Sequence, residues 1–230
     1  MNFLWLFLVE DDRTRFFFCW IRNRLLCFLF SVPFLAVTVA SLGQHVHSLM
    51  VHQAVFHCRS NISYDTASWS DIYLSFDLII FDYGLFHRIL GTSKCVANYI
   101  DGGYGRAMYC VCQFVSLCIV YMVLLWPGMT KKYWLLHPPL MQQSFYALGM
   151  LILSMATAPK MVGAFDERAI DSVLALQVAV YAFGCFLNWF YTIVLWHYYW
   201  HIEALFLEDQ KASEVIIENF GTTTTEGEFV

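Results

Sequence analysis

Four long apolar stretches with almost no charge dominate the chain and restrict it more than any other feature. They run from 25–43, 107–127, 144–165 and 173–199. A bilayer core of about 30 Å needs roughly 20 apolar residues per helical crossing, and each stretch meets that length. The first is broken only by Pro33. The third carries Lys160 near its end, where a lysine reaches the headgroups. The last is rich in tryptophan at its far end, with Trp189, Trp196 and Trp200. Composition agrees. Hydrophobic residues make up 59 % of the chain and charged residues 13 %, too few charges to solvate the surface of a soluble protein. An aromatic share of 18 % suits interfacial belts. A net charge of −5 with no Lys/Arg block excludes a nucleic-acid binder, and the apolar content excludes disordered and collagen-like chains.

Four crossings place both termini on one side. Arg13, Arg15, Arg22 and Arg24 precede the first stretch closely, and Lys131 and Lys132 lie between the second and third, so the positive-inside rule puts both termini in the cytoplasm. The sequon at Asn61 falls in the first loop, on the side where it would be glycosylated. The opening MNFLWLFL lacks a basic n-region and a cleavage site; it reads as an amphipathic stretch on the inner leaflet, with the first span as an uncleaved signal anchor. The expected organisation is therefore 1–24 cytoplasmic, 25–43 first span, 44–106 extracellular loop, 107–127 second span and 128–143 cytoplasmic loop. After these come 144–165 third span, 166–172 second extracellular loop, 173–199 fourth span and 200–230 cytoplasmic tail.

The first loop holds the most information. Its core from Ile72 to Phe81 alternates Ile72, Leu74, Phe76, Leu78 and Ile80 on one face. It is interrupted by Asp77 and flanked by Asp71 and Asp82. Ten residues with these aspartates do not cross a bilayer as a helix, so the segment predicts a strand in a small extracellular sheet. Only Cys58 and Cys95 of the eight cysteines fall in the oxidising compartment, which predicts a disulfide between them, with two free thiols as the alternative. Such a bridge would stabilise the loop by about 4 kcal/mol on the chain-entropy estimate.

A strand-like core, then Gly84-Leu85-Phe86, then Cys95, then Arg106-Ala107-Met108 opening the second span, together resemble the claudin superfamily of four-pass proteins. Its members include claudins, peripheral myelin protein, stargazin-type channel subunits and nematode claudin-like proteins. In that family a Gly-Leu-Trp precedes two cysteines, and an arginine stands near the start of the second span. Gly84, Leu85 and Phe86 match the tripeptide with Phe for Trp, Cys95 matches the second cysteine and Arg106 the arginine. The first cysteine would fall near Ile89 and is absent, so Cys58 would have to serve as partner; the second loop is also shorter than a claudin's. The resemblance covers topology and a handful of identities. It implies a non-enzymatic protein that works by association.

Four histidines, His45, His47, His52 and His57, crowd the start of the first loop. They read as a zinc- or copper-binding or pH-sensing group on one side, and as a solvated loop on the other; the irregular spacing favours the loop. His197 and His201 form an H-x-x-x-H on one helix face, as in membrane di-iron enzymes, but no second box accompanies it. No phosphate loop, nucleophile elbow or cysteine–histidine pair stands out, and no ionisable group lies mid-span. Small residues, Ala175, Ala179 and Ala182 with Ser154 and Ala158, offer close helix packing. Cys19 sits where palmitoylation occurs. The acidic tail ends Glu228-Phe229-Val230, the form of a PDZ ligand, against a flexible solvated tail as the bland reading.

The expected fold is an all-α membrane protein, a four-helix transmembrane bundle with a small extracellular β-sheet in the first loop. The expected function is that of a non-enzymatic, cofactor-free auxiliary subunit of a channel or receptor in the plasma membrane. Its partners would be membrane lipid, a pore-forming subunit or a second copy of itself, and a PDZ scaffold at the C-terminus. Adhesion or barrier formation at cell junctions is the alternative, with a histidine-ligated membrane metalloenzyme a distant third.

Overall fold

The computed structural model describes residues 7–10, 12–16, 19–55, 104–167 and 172–223. Three short strands come first, β1 (Phe7–Val9), β2 (Arg13–Phe16) and β3 (Cys19–Arg22), paired antiparallel in that order. Four long helices follow: α1 (Asn23–His52), α2 (Tyr104–Leu125), α3 (His137–Glu167) and α4 (Ser172–Thr223). A 3-10 segment, Pro127–Leu136, joins α2 to α3. The helices form a four-membered bundle in which α1 packs on α2 and α4, and α3 packs on the same two.

Two of the helices, α1 and the stretch Ala107–Leu125 of α2, are long and apolar enough to cross a membrane. Their most apolar windows are only 33 % and 39 % buried inside the molecule, so most of that apolar surface faces outward. The inward face of α1 is the polar one. Ser31, Phe34, Thr38, Ser41, His45 and Ser48 follow one another at three- and four-residue steps and are all buried. Their outward neighbours Leu29, Val32, Val39, Val46 and Leu49 are each half exposed or nearly so. Ser31 and Thr38 return their hydroxyls to the carbonyls of Phe28 (2.9 Å) and Phe34 (2.7 Å), so the small polar side chains bring no unpaired hydroxyl into the interface. The apolar core proper sits nearer the sheet, where Leu26, Cys27, Val120, Val123, Leu124, Leu136, Leu140, Val194 and Leu195 meet with little or no exposure.

Proline places the turn between α2 and α3. Pro127 opens the 3-10 segment after Trp126, and Pro138 and Pro139 follow His137 in the first turn of α3, where a missing N–H has no helical partner to lose.

Several boundaries depart from those read in the sequence. Strands β1 to β3 lie in the expected cytoplasmic segment 1–24, whose sequence predicts no sheet; Thr14 and Asn23 tie the segment together. Thr14 Oγ1 donates to Asn23 Oδ1 (2.6 Å), and Asn23 Nδ2 donates to the Glu10 carbonyl (2.6 Å); both side chains are fully buried. Helix α1 runs nine residues beyond 43, so His45, His47 and His52 stand on a helix rather than in a loop. It ends at Gln53, whose φ of 53° and N–H bond to the Leu49 carbonyl form a left-handed cap. Helix α3 begins within the expected 128–143 loop, and α4 continues past Tyr199 to Thr223, so the tail is helical for most of its length. At 1.5 Å per residue a helix of 52 residues is about 78 Å long, more than twice a bilayer core.

Candidate functional site

The most distinctive chemistry in the bundle is a chain of side-chain amides. Gln113 stands on α2, Gln142 and Gln143 on α3, and Asn188 on α4. Gln113 Nε2 donates to Gln143 Oε1 (3.4 Å), and Gln143 Nε2 donates to Asn188 Oδ1 (2.9 Å). Asn188 Nδ2 closes the series on the Gly184 carbonyl (2.9 Å), one turn back on its own helix. Each amide thus donates to the next, and the last donor meets a backbone oxygen. Gln113, Gln143 and Asn188 are 4 %, 3 % and 0 % exposed, so this is a buried relay linking three helices. An unpaired amide at this depth would cost about 1–3 kcal/mol, which makes the pairing obligatory.

Polar neighbours extend the relay. The Gln142 amide adjoins Gln113 Oε1 (3.0 Å) and the Ser116 hydroxyl. In its better orientation its nitrogen faces Ser116 and the Cys112 carbonyl (3.2 Å), and its oxygen accepts the Gln113 backbone N–H (2.9 Å). The Tyr109 hydroxyl donates to Gln113 Oε1 (3.3 Å), and the Tyr109 ring stacks on Tyr146 at 5.4 Å between centroids. Thr192 donates to the Asn188 carbonyl (2.7 Å). Toward the sheet end, Trp196 Nε1 donates to Ser144 Oγ (3.0 Å), and His137 Nε2 lies 2.7 Å from the Tyr199 hydroxyl, which in turn approaches Glu203 at 3.3 Å. The Trp196–Ser144 and His137–Tyr199 contacts join the start of α3 to α4.

Within the apolar stretch 173–199, Asn188 is the most polar mid-span side chain. Gln113 was hidden in a stretch notable for lacking charge, and Gln142 and Gln143 were assigned to a loop. The available signal was the three-residue step from Gln113 to Ser116, which puts two polar groups on one face of an apolar helix. The small-residue reading needs correction: Ala158, Ala179 and Ala182 are exposed, whereas Ser154, 3.4 Å from Cys185, does stand between α3 and α4.

The remaining sequence-derived positions divide as follows. Cys58 and Cys95, the sequon at Asn61, Gly84-Leu85-Phe86, the strand at 72–81 and Glu228-Phe229-Val230 lie outside the described residues. Arg106 falls in the first turn of α2. Of the loop histidines, His57 lies outside the described residues and the other three do not converge: His45 Nδ1 lies 2.9 Å from the Val55 carbonyl, near Ser48, whose hydroxyl donates to the Ala54 carbonyl (2.8 Å), while His47 and His52 are exposed. His197 and His201 have different neighbours, the Trp200 ring at 5.2 Å for one and Asp12 at 3.6 Å for the other. Among the described residues no three His, Cys, Asp or Glu side chains come together as a metal-binding group.

No curated protein and no solved structure matches this chain. One family model does, over residues 6–207, and so takes in the sheet, α1 to α3, α4 as far as Leu207, and the amide relay. The chain therefore belongs to a family of unknown function, DUF8774.

Proposed function

We propose that this protein is a four-pass plasma-membrane protein with both termini in the cytoplasm, without enzymatic activity, that acts by lateral association as an auxiliary subunit of a channel or receptor. The observation that carries the reading is that amides, hydroxyls and a histidine are buried in the bundle beside its apolar core while many large apolar side chains stand outside. A soluble bundle would bury the second set and solvate the first. Lipid reverses that preference, because helices in a bilayer gain nothing from hiding leucine from leucine and associate through small and polar groups instead.

Helix α3 supplies the lateral surface. Met141, Phe145, Leu148, Ile152 and Met155 recur at steps of four and three residues, and all are 46–68 % exposed. Five large side chains in one outward line present a seam into which another helix can pack its own. Helix α4 adds Phe183, Phe186 and Ile193. The resemblance to stargazin-type subunits points the same way. The test is purification of the full chain from its native membrane in mild detergent, with the masses of whatever accompanies it. A pore-forming or receptor subunit in fixed stoichiometry supports the proposal. Recovery of this chain alone, in large oligomers that gather at contacts between transfected cells, overturns it in favour of adhesion.

A further inference from the structure

The register of the N-terminal sheet sorts its residues sharply. Arg13 pairs with Arg22, Arg15 with Trp20 and Thr14 with Ile21. Directly opposed residues share a face, and alternate residues along a strand share one too. Thr14, Ile21 and Val9 therefore lie on the face that meets the bundle, where Thr14 is fully buried. Arg13, Arg15, Trp20 and Arg22 lie together on the other. Opposed like charges destabilise a sheet, and among the described residues only Arg13 has a carboxylate beside it, Asp12 at 3.3 Å. Among the described residues Arg15, Arg22 and Arg24 make no ion pair. Folding alone gives no reason to gather these guanidiniums.

Beside this face, between the start of α1 and the end of α2, lies an open groove of about 320 Å³. Its walls are Leu25, Phe28, Leu124 and Leu125, and Arg22 and Arg24 stand with them. Arg24 is held in place: its guanidinium donates twice to the Leu124 carbonyl, from Nε at 2.9 Å and from a terminal nitrogen, at the negative end of the α2 dipole. A guanidinium has five N–H donors, so three remain. Trp126, at the end of α2, is 69 % exposed, as a tryptophan at the headgroup level is. Fixed cations beside an apolar trough, at the end of two apolar helices, match a molecule with an anionic head and a hydrocarbon body.

We infer that the groove formed by Arg22, Arg24, Leu25, Phe28, Leu124 and Leu125 seats an anionic phospholipid of the inner leaflet, with the phosphate on the arginines and the first methylenes of one chain along the leucines. The inference rests on the four-pass reading, which sets this end of the bundle at the cytoplasmic headgroups. The sheet then serves as an interfacial foot, its basic face spread on the anionic leaflet.

The test is native mass spectrometry of the full chain in detergent, titrated with dioctanoyl phosphatidylserine or dioctanoyl phosphatidylcholine. The expected result is one retained phosphatidylserine at a concentration at least tenfold below that needed for phosphatidylcholine. Arg22→Gln, at an exposed residue without an ion partner, should weaken retention about fivefold, as one juxtamembrane cation is worth. Arg22→Lys should restore most of it. Glycerophosphoserine, the same head without chains, should compete poorly. Equal retention of the two lipids, an unchanged Arg22→Gln protein, or full competition by glycerophosphoserine overturns the inference. Carbonate extraction of expressing membranes separates the two failures: a chain that stays in the membrane yet shows no preference refutes the lipid seat alone, and a chain released by carbonate refutes the four-pass reading itself.

Discussion

At the residue scale the amide relay makes the sharpest statement. Asn188→Ala removes both the acceptor of Gln143 and the donor to Gly184, and leaves a buried glutamine amide unpaired. The loss expected is about 1 kcal/mol, since polar contacts between membrane helices average somewhat less and an orphaned group costs somewhat more. Thermal unfolding in detergent measures it. Combining Asn188→Leu with Gln143→Leu should recover part of the loss, because the Gln143 amide is then no longer stranded and only the Gln113 nitrogen loses its acceptor. A double variant as unstable as the sum of the singles would contradict the relay. Tyr191 behaves in the opposite sense. It is fully buried against Phe30 and Phe34, and its hydroxyl has no hydrogen-bond partner among the described residues. Tyr191→Phe should therefore be neutral or stabilise by up to about 1 kcal/mol, in the same melting experiment.

At the scale of elements, Asn23 joins two of them. It is the first residue of α1, its backbone N–H bonds the Asp12 carbonyl (2.9 Å), and its side chain reaches both Thr14 and Glu10. Asn23→Ala should release the sheet from the helix while leaving the bundle intact. Hydrogen exchange would then show residues 13–22 losing protection by tenfold or more, with α2 and α3 unchanged. The sheet was not legible in the sequence for a physical reason. Its alternation spans only three or four residues per strand, shorter than any window that separates a strand from an irregular basic segment, and its stability comes from one buried asparagine. The long helices were legible because their apolar runs are tied to a fixed length. Their ends were not, since polar residues such as His45, Gln142 and Glu203 continue a helix as readily as they begin a loop. The outward seam of α3 carries a separate prediction. Changing Phe145, Ile152 and Met155 to alanine should leave the melting temperature within a few degrees, because all three are more than half exposed, and should abolish co-purification of the partner subunit.

At the scale of the molecule, polar side chains line the inside of the bundle beside an apolar core nearer the sheet, and α4 extends well beyond the length a bilayer demands. Together they suggest a division of labour along the bundle axis. The middle holds the relay, the sheet end holds the arginines and aromatics, and α4 from Leu207 to Glu214 is exposed, with Glu208, Asp209, Lys211 and Glu214 on it. The account depends most on α3 and α4 crossing the membrane together with α1 and α2, the two helices long and apolar enough to do so. An N-glycosylation acceptor within a long Gly/Ser spacer, inserted between Ala169 and Ile170, reports on this directly in eukaryotic cells, with Asn61 as the internal reference. Modification at both positions, removed by peptide-N-glycosidase, is the result predicted for four crossings. Modification at Asn61 with none at the inserted acceptor would mean that only α1 and α2 span, and would contradict the account.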